Sequence, residues 1–102
     1  MFVVKMTEEF EKSFRKTIPL SMQDQLWSRI RKLEENPYIG KPLGHIDLRE
    51  LKADKFRIYF MIYKEKVLVL LVGVSDKKQQ QMAIDTIKRN KHLLDEFVKN
   101  LN

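Results

Sequence analysis

The sequence predicts an α+β fold in which a helical hairpin and a C-terminal helix pack on a small β-sheet. A short alternating segment and two apolar repeats of helical period stand early in the chain. Three strand-like stretches joined by short polar turns follow, and another helical stripe lies near the end. The predicted order of elements is β-α-α-β-β-β-α. With 102 residues the chain has room for one hydrophobic core, so we expect a single domain over residues 1–102.

The first strand and the first helix are predicted from adjacent patterns. Apolar residues alternate over residues 2–6, which is the period of a strand. Thr7 is a suitable N-cap for a helix that carries Phe10 and Phe14 on one face. This helix is expected to end before Pro19 because proline disfavours a helical conformation in the residue that precedes it.

A second helix is predicted to begin at Pro19 or Ser21 and to end at Asn36 and Pro37. Its apolar residues are spaced by four, four and three positions, which places them on one side of the helix. These residues are Met22, Leu26, Ile30 and Leu33. We expect the two helices to form a hairpin on one face of the sheet.

Three strands are predicted after a loop rich in glycine and proline, over residues 45–52, 55–63 and 66–74. In the stretch 55–63 one face is apolar and the other carries cations and tyrosines, which indicates a half-exposed strand. The stretch 66–74 is apolar on both faces and is predicted to be a central, covered strand. Tight turns make these three strands antiparallel, and the helical crossover allows the first strand to run parallel to the central one.

The C-terminal helix is predicted to start from an N-cap at Ser75 or Asp76. Its buried stripe is expected to comprise Ala83, Ile87, Leu94, Val98 and Leu101.

Charge and composition limit the functional classes. The formal charge is +6, which favours polyanionic partners such as nucleic acid, although a soluble protein with an ordinary excess of lysine has the same charge. Cysteine is absent, which excludes a thiol nucleophile, disulfides and cysteine-ligated metals. The amino terminus lacks a signal-peptide pattern and the apolar runs are short, so we expect a soluble cytoplasmic protein.

The hairpin over residues 47–63 is predicted to gather charged side chains on one face. A two-residue turn at Ala53 and Asp54 pairs Lys52 with Lys55 and Glu50 with Arg57. A second such turn at residues 64–65 places Tyr59 beside Leu70 and Arg57 beside Val72. The competing interpretation is structural, with a Glu50–Arg57 ion pair and Tyr59 covering apolar surface.

Four segments together resemble the RelE/ParE superfamily of toxins from toxin–antitoxin pairs. They read LEENPYIGKPLG at 33–44, LRELKADKFRIYFMI at 48–62, VLVLLVGVSDKKQQ at 67–80 and AIDTIKRN at 83–90. The resemblance implies a small twisted antiparallel sheet with the helical hairpin on one side and an open basic surface on the other. It also implies a cognate antitoxin that wraps around the toxin.

The resemblance implies one of two activities. The RelE branch cleaves mRNA on the translating ribosome, whereas the ParE branch poisons DNA gyrase. Metal-free RNA cleavage needs a base for the 2′-hydroxyl proton, cations for the charge that develops on phosphorus, and an acid for the leaving oxygen. Arg57 matches the family's catalytic arginine, and a guanidinium can contact two phosphate oxygens at once.

Six further residues are candidates for this chemistry. Lys52 and His45 are predicted to be catalytic. His45 is a candidate base because a histidine titrates near neutral pH. Nucleic-acid contacts are predicted for Lys55, Tyr59, Lys77 and Lys78, with Tyr59 stacking on a base. The simpler interpretation of the Lys77–Lys78 pair is a solvated surface at a helix start. Arg49 lies on the other face and is read as structural or as an antitoxin contact.

The sequence departs from the RelE pattern at several positions. Leu48 and Glu50 stand where characterised RelE toxins have paired lysines, Gln80 stands in place of an arginine, and the last helix has no tyrosine. These departures favour a ParE-like or inactive protein, whereas the net charge and Arg57 favour a ribonuclease, the interpretation that we prefer. Two histidines without clustered carboxylates do not make a metal site, so neither a metal nor a cofactor is expected.

Overall fold

A computed structural model of the protein describes residues 1–44 and 46–101. Its elements, apart from short 3₁₀ turns, are β1 (Val3–Met6), α1 (Glu8–Thr17), α2 (Leu20–Arg31), β2 (Lys41–Pro42), β3 (Leu48–Ala53), β4 (Phe56–Tyr63), β5 (Leu68–Asp76), α3 (Gln80–Arg89) and α4 (Lys91–Lys99). The predicted order is confirmed, with two additions. A short strand β2 precedes the hairpin, and the C-terminal helix is divided into α3 and α4 at Asn90.

The strands form one five-stranded sheet in the order β1-β5-β4-β3-β2. β1 runs parallel to β5, and every other neighbouring pair is antiparallel. β3, β4 and β5 alternate in direction, and the long α1–α2 connection allows β1 to lie beside β5 in a parallel orientation. The predicted parallel arrangement of the first and the central strand is thereby confirmed.

Helices cover both faces of the sheet. α1 and α2 place Phe10, Phe14, Leu26 and Ile30 against one face, whose core includes Ile58, Phe60, Val69 and Leu71. α3 and α4 cover the opposite face, where Ile84, Ile87 and Val98 meet Tyr59, Met61, Leu68 and Leu70. The prediction of a half-exposed strand at residues 55–63 is therefore wrong, because β4 is buried on both faces except at Tyr63.

The helix starts agree with the sequence only in part. Thr7 caps α1 as predicted, since its Oγ1 accepts a hydrogen bond of 3.0 Å from the Phe10 amide. Neither Ser75 nor Asp76 caps the helix that follows β5. Asp76 accepts a 2.9 Å hydrogen bond from the Gln79 amide and so stabilises the turn, and α3 begins one residue later.

No helix of the described chain is long and apolar enough to cross a membrane.

α4 is attached to the sheet by one buried residue and one polar network. Val98 packs on Leu68 and Leu70. The Tyr63 hydroxyl donates a 2.8 Å hydrogen bond to Asp95, whose other oxygen lies 2.6 Å from Lys91 Nζ. Of the predicted C-terminal stripe, Ile87 and Val98 are buried, while Ala83, Leu94 and Leu101 are half-buried.

The hairpin register differs from the prediction. Asp54 and Lys55 form the β3–β4 turn, so that Lys52 lies opposite Arg57 and Glu50 lies opposite Tyr59. Asp54 adopts φ 57°, a conformation that aspartate tolerates better than most residues, and this allows the turn to form one position later.

The β4–β5 connection is also longer than predicted. Residues 64–66 form a 3₁₀ turn that ends at Val67, which has φ 51°. A bulge at Tyr59 and Phe60 then shifts the pairing, so that Tyr59 lies opposite Gly73 and Arg57 opposite Ser75. The predicted pairing of Tyr59 with Leu70 and of Arg57 with Val72 is therefore wrong.

A candidate basic cleft

A cleft of about 440 Å³ opens at the edge of the sheet beside β2 and β3. Four cationic side chains line it, one from each of four elements: Arg29 of α2, Lys41 of β2, Lys52 of β3 and Arg57 of β4. Ile39, Glu50, Leu51 and Gln80 complete the lining. The concentration of positive charge makes this cleft, hereafter the basic cleft, a suitable site for a phosphodiester.

Arg57 is the most enclosed of the four cations, with 5% of its surface exposed. Its Nη1 donates hydrogen bonds of 3.0 Å to the backbone carbonyls of Asp54 and Phe56. These bonds hold the guanidinium against the β3–β4 turn. Nε and Nη2 have no acceptor among the described residues, so part of the planar fork is available to an anion.

Arg29 reaches the basic cleft from the opposite layer of the molecule. Its Nη1 donates a 2.7 Å hydrogen bond to the Lys52 carbonyl, at a part of β3 that β2 does not cover. The sequence-based candidate set omits this residue. A signal is nevertheless present, because Arg29 follows Leu26 by three positions and precedes Leu33 by four, at the border of the apolar stripe of α2.

Lys41 is the second cation that sequence reasoning missed, and its position depends on close packing of the preceding loop. A Cβ at Gly40 would lie 2.6 Å from the Phe60 ring, so only glycine fits there without rearrangement. Arg49 donates hydrogen bonds to the carbonyls of Gly40 and Tyr38, at 2.6 and 3.3 Å. In this arrangement Arg49 has a structural role, which is one of the two roles predicted for it.

Glu50 lies in the basic cleft without an ion-pair partner among the described residues. Its Oε2 accepts a 2.9 Å hydrogen bond from Nε2 of Gln80, which is the first residue of α3. The two salt bridges of the described chain, Arg15–Glu11 and Lys91–Asp95, lie elsewhere, so the predicted Glu50–Arg57 pair is not formed.

Tyr59 is fully buried beneath α3, so no ring face is available to a base. Its hydroxyl shares a 2.8 Å hydrogen bond with the Ser75 hydroxyl. Burial raises the pKa of the Tyr59 phenol, and the Ser75 hydrogen bond offsets part of this effect. The predicted stacking role does not fit this structure, whereas the alternative, that Tyr59 covers apolar surface, does.

Of the remaining predicted residues, Lys55, Lys77 and Lys78 do not line the basic cleft. Lys55 is in the β3–β4 turn, with Nζ 5.5 Å from the centre of the Phe56 ring, and does not face Lys52. Lys77 and Lys78 are exposed in the turn just before Gln80. His45, the predicted base, lies outside the described residues. Within residues 1–44 and 46–101, no group of three histidines or carboxylates is placed to hold a metal ion.

Sequence comparison places the protein among known toxins. Residues 4–81, which include the whole basic cleft, match the family model of the ParE toxin of the type II toxin–antitoxin system parDE. The chain belongs to this toxin family. The matched segment ends within α3, so that α4 of this toxin lies beyond it. No curated protein sequence matches the chain.

Solved structures of RelE toxins share the fold of this toxin. The isolated E. coli RelE toxin superposes with a TM-score of 0.67 at 20% identity, over 87% of this chain and 98% of that chain. The toxin in the intact E. coli RelBE complex has a TM-score of 0.65 at 21% identity, over 74% and 96%. For the RelBE2 complex from Mycobacterium tuberculosis the values are 0.61 and 19%, over 74% and 90%. At these identities the likeness shows the fold.

Proposed function

We propose that this toxin is a metal-independent endoribonuclease that cuts mRNA on the ribosome, in the cytoplasm. The observation that carries the proposal is the convergence of Arg29, Lys41, Lys52 and Arg57 on one cleft. Four cations around one cleft suit the backbone of RNA, which carries one negative charge per nucleotide. The fold shared with RelE toxins is compatible with this activity.

Arg57 would stabilise the transition state. When the 2′-oxygen attacks the adjacent phosphorus, negative charge grows on the equatorial oxygens. A preoriented guanidinium stabilises this charge without having to reorganise. The two carbonyl contacts through Nη1 provide that orientation, and Nε and Nη2 are the groups that would contact the phosphate.

Lys52 would supply the proton for the leaving 5′-oxygen. It lies directly opposite Arg57, a spacing of about 5 Å between Cβ atoms, so both side chains can reach one phosphodiester. Lys41 and Arg29 would bind the flanking phosphates. Lys55, Lys77 and Lys78 would extend the positive surface along the RNA, since each is exposed at an end of β3, β4 or β5.

We further propose that an antitoxin inhibits the toxin by binding α3 and α4. Leu93 and Phe97 are 59% and 40% exposed beside a cleft of about 470 Å³ that α1 also lines. Cationic residues border the same helices, namely Lys88, Arg89, Lys91 and Lys99. Glu8 and Glu9 of α1 also line the cleft, so an amphipathic segment complements this surface when its apolar side enters the cleft and its acidic side faces the cationic residues of α3 and α4. The RelBE and RelBE2 structures are complexes of a toxin with its antitoxin.

The proposal is tested by expressing wild type, Arg57→Ala and the matched control Arg31→Ala, an exposed arginine of α2 that does not line the basic cleft. Wild type and Arg31→Ala should stop protein synthesis and produce cuts in ribosome-occupied codons. Arg57→Ala should do neither. Arrested growth with intact mRNA would contradict the proposal.

A second candidate is inhibition of a DNA topoisomerase, as in the ParE branch. The description of the matched family model favours it, because that model represents ParE toxins. Plasmid supercoiling measured in the same cultures separates the two candidates. Loss of supercoiling with intact mRNA indicates the topoisomerase, whereas cleaved mRNA with normal supercoiling indicates the ribonuclease.

A further inference from the structure

A carboxylate occupies the basic cleft, although a site that only binds phosphate gains nothing from one. Glu50 is 5% exposed and lines the cleft with the four cations. No lysine or arginine nitrogen of the described chain lies within 4.0 Å of its oxygens. Simple neutralisation by a neighbouring cation therefore does not account for its position.

The carboxylate of Glu50 is held in place by neutral chemistry. Gln80 donates to Oε2 at 2.9 Å from a different element, 30 residues away in the chain. An amide donor orients a carboxylate without the strong charge coupling of an ion pair. The second oxygen has no hydrogen-bond partner among the described residues and remains available to a donor.

RNA carries one donor that suits this acceptor, the 2′-hydroxyl beside the scissile phosphate. Glu50 precedes Lys52 by two residues on the same strand, so both side chains project from the same face of β3. Arg57 lies diagonally across from Glu50, a separation that long side chains span. A phosphate held by Arg57 and Lys52 would bring its own 2′-hydroxyl toward Glu50.

We propose that Glu50 is the general base of the reaction and that Gln80 positions it, an inference that rests on the proposed ribonuclease function. The Glu50 carboxylate takes the proton of the 2′-hydroxyl, and the 2′-oxygen forms a bond to phosphorus. The bond from phosphorus to the 5′-oxygen breaks, and that oxygen takes a proton from the Lys52 ammonium. The products are a 2′,3′-cyclic phosphate and a 5′-hydroxyl end, and proton exchange with water restores Glu50 and Lys52.

The test compares Glu50→Gln with wild type in single-turnover cleavage of mRNA on purified ribosomes, together with binding of a short RNA. Glutamine keeps the size of the side chain and can still accept from Gln80. Cleavage should slow by about 10²–10⁴-fold, the usual contribution of a general base. RNA binding should stay unchanged or tighten, because the substitution removes a negative charge from the cleft.

Glu65→Gln is the matched control, since it makes the same change at an exposed residue at the far end of β4. If Glu50→Gln cleaves like wild type, the inference is wrong while the proposed function stands. The same holds if His45→Gln alone loses cleavage, which would identify His45 as the base. If wild type itself does not cleave, the proposed function fails.

Glu50→Ala provides a second measurement should the glutamine variant fail to fold. Added formate should restore part of its cleavage in proportion to formate concentration, whereas chloride should not. A folded Glu50→Ala variant that cleaves slowly and does not respond to formate would contradict a role as base.

Discussion

Lys52 and Arg57 lie directly opposite each other on the neighbouring strands β3 and β4. Like charges at such positions repel, typically by a few tenths of a kcal/mol up to about 1 kcal/mol. The carbonyl groups of Asp54 and Phe56 stabilise the Arg57 guanidinium, and no comparable acceptor of the Lys52 ammonium is present in the described chain. The pair therefore lowers stability while concentrating positive charge where a phosphodiester would bind.

Replacing Lys52 should separate stability from binding. Lys52→Thr removes the repulsion and keeps a residue that suits a strand, so the free energy of unfolding in urea should rise by up to about 1 kcal/mol while RNA binding weakens. Lys5→Thr on the edge strand β1, opposite Leu70, is the control and should change neither. Lower stability with unchanged RNA binding would show that Lys52 does not face the RNA.

The salt dependence of RNA binding should report how many cations of the basic cleft contact phosphate. Lys41→Ala and Lys52→Ala should each reduce the magnitude of the slope of log K against log salt by about 0.7. This is the contribution of one phosphate contact to binding of single-stranded nucleic acid. Lys66→Ala, at the exposed β4–β5 connection, should leave the slope unchanged. If all three variants keep the wild-type slope, the RNA does not bind in the basic cleft.

Tyr59→Phe should reduce stability rather than activity. The substitution removes the hydroxyl that pairs with Ser75 at 2.8 Å and leaves a buried hydroxyl without this partner, at a cost of about 1–3 kcal/mol. Urea denaturation measures the loss, and the double variant with Ser75→Ala should recover much of it. Tyr59→Ala is unsuitable because it also empties the core. If folded Tyr59→Phe binds RNA more weakly than wild type, Tyr59 has a direct role in RNA recognition and this prediction is wrong.

The attachment of α4 should weaken in acid. Burial raises the pKa of the Asp95 carboxyl, but the hydrogen bonds from Lys91 and Tyr63 outweigh this effect and hold the pKa below its ordinary value. A carboxyl with a lowered pKa adds stability above its unfolded pKa of about 3.9, and this stability is lost as the pH falls further.

Thermal melts of wild type and Asp95→Asn test this expectation. The variant should be less stable at pH 7, and the difference should shrink as the pH falls from about 5 to 3. Because Asp95 is partly exposed, the effect should be below about 1 kcal/mol. Asp24→Asn, at an exposed position of α2, is the control. A difference that is constant over this pH range would contradict the role of the Asp95 charge.

The types of most elements are predictable because the patterns that determine them are local. Phe10 and Phe14 mark one helix face, and the alternation along residues 55–63 marks a strand, whatever the rest of the chain does. The strand registers are not local in this sense. They depend on positive φ angles at Asp54 and Val67. Aspartate tolerates a positive φ without requiring one and valine rarely adopts one, so neither residue type predicts the turn.

The basic cleft is only partly predictable for a related reason. Lys52 and Arg57 belong to one hairpin, so a pairing argument brings them together even when the assumed register is two positions off. Arg29 and Lys41 reach the same cleft from α2 and β2, through the bond to the Lys52 carbonyl and the close contact at Gly40. The local pattern does not predict these tertiary contacts, since for Arg29 it shows only a position at the border of the apolar stripe of α2.

The most direct test of the basic cleft as a ribonuclease site is cleavage in a purified translation system. Wild-type toxin, Arg57→Ala and Arg31→Ala are added to ribosomes that are stalled on a defined mRNA, and the new RNA ends are mapped. We predict cuts in the ribosome-occupied codon with wild type and Arg31→Ala, and a loss of at least about 10²-fold in rate with Arg57→Ala. Cleavage by Arg57→Ala at the wild-type rate, or intact mRNA with wild type, would contradict this account.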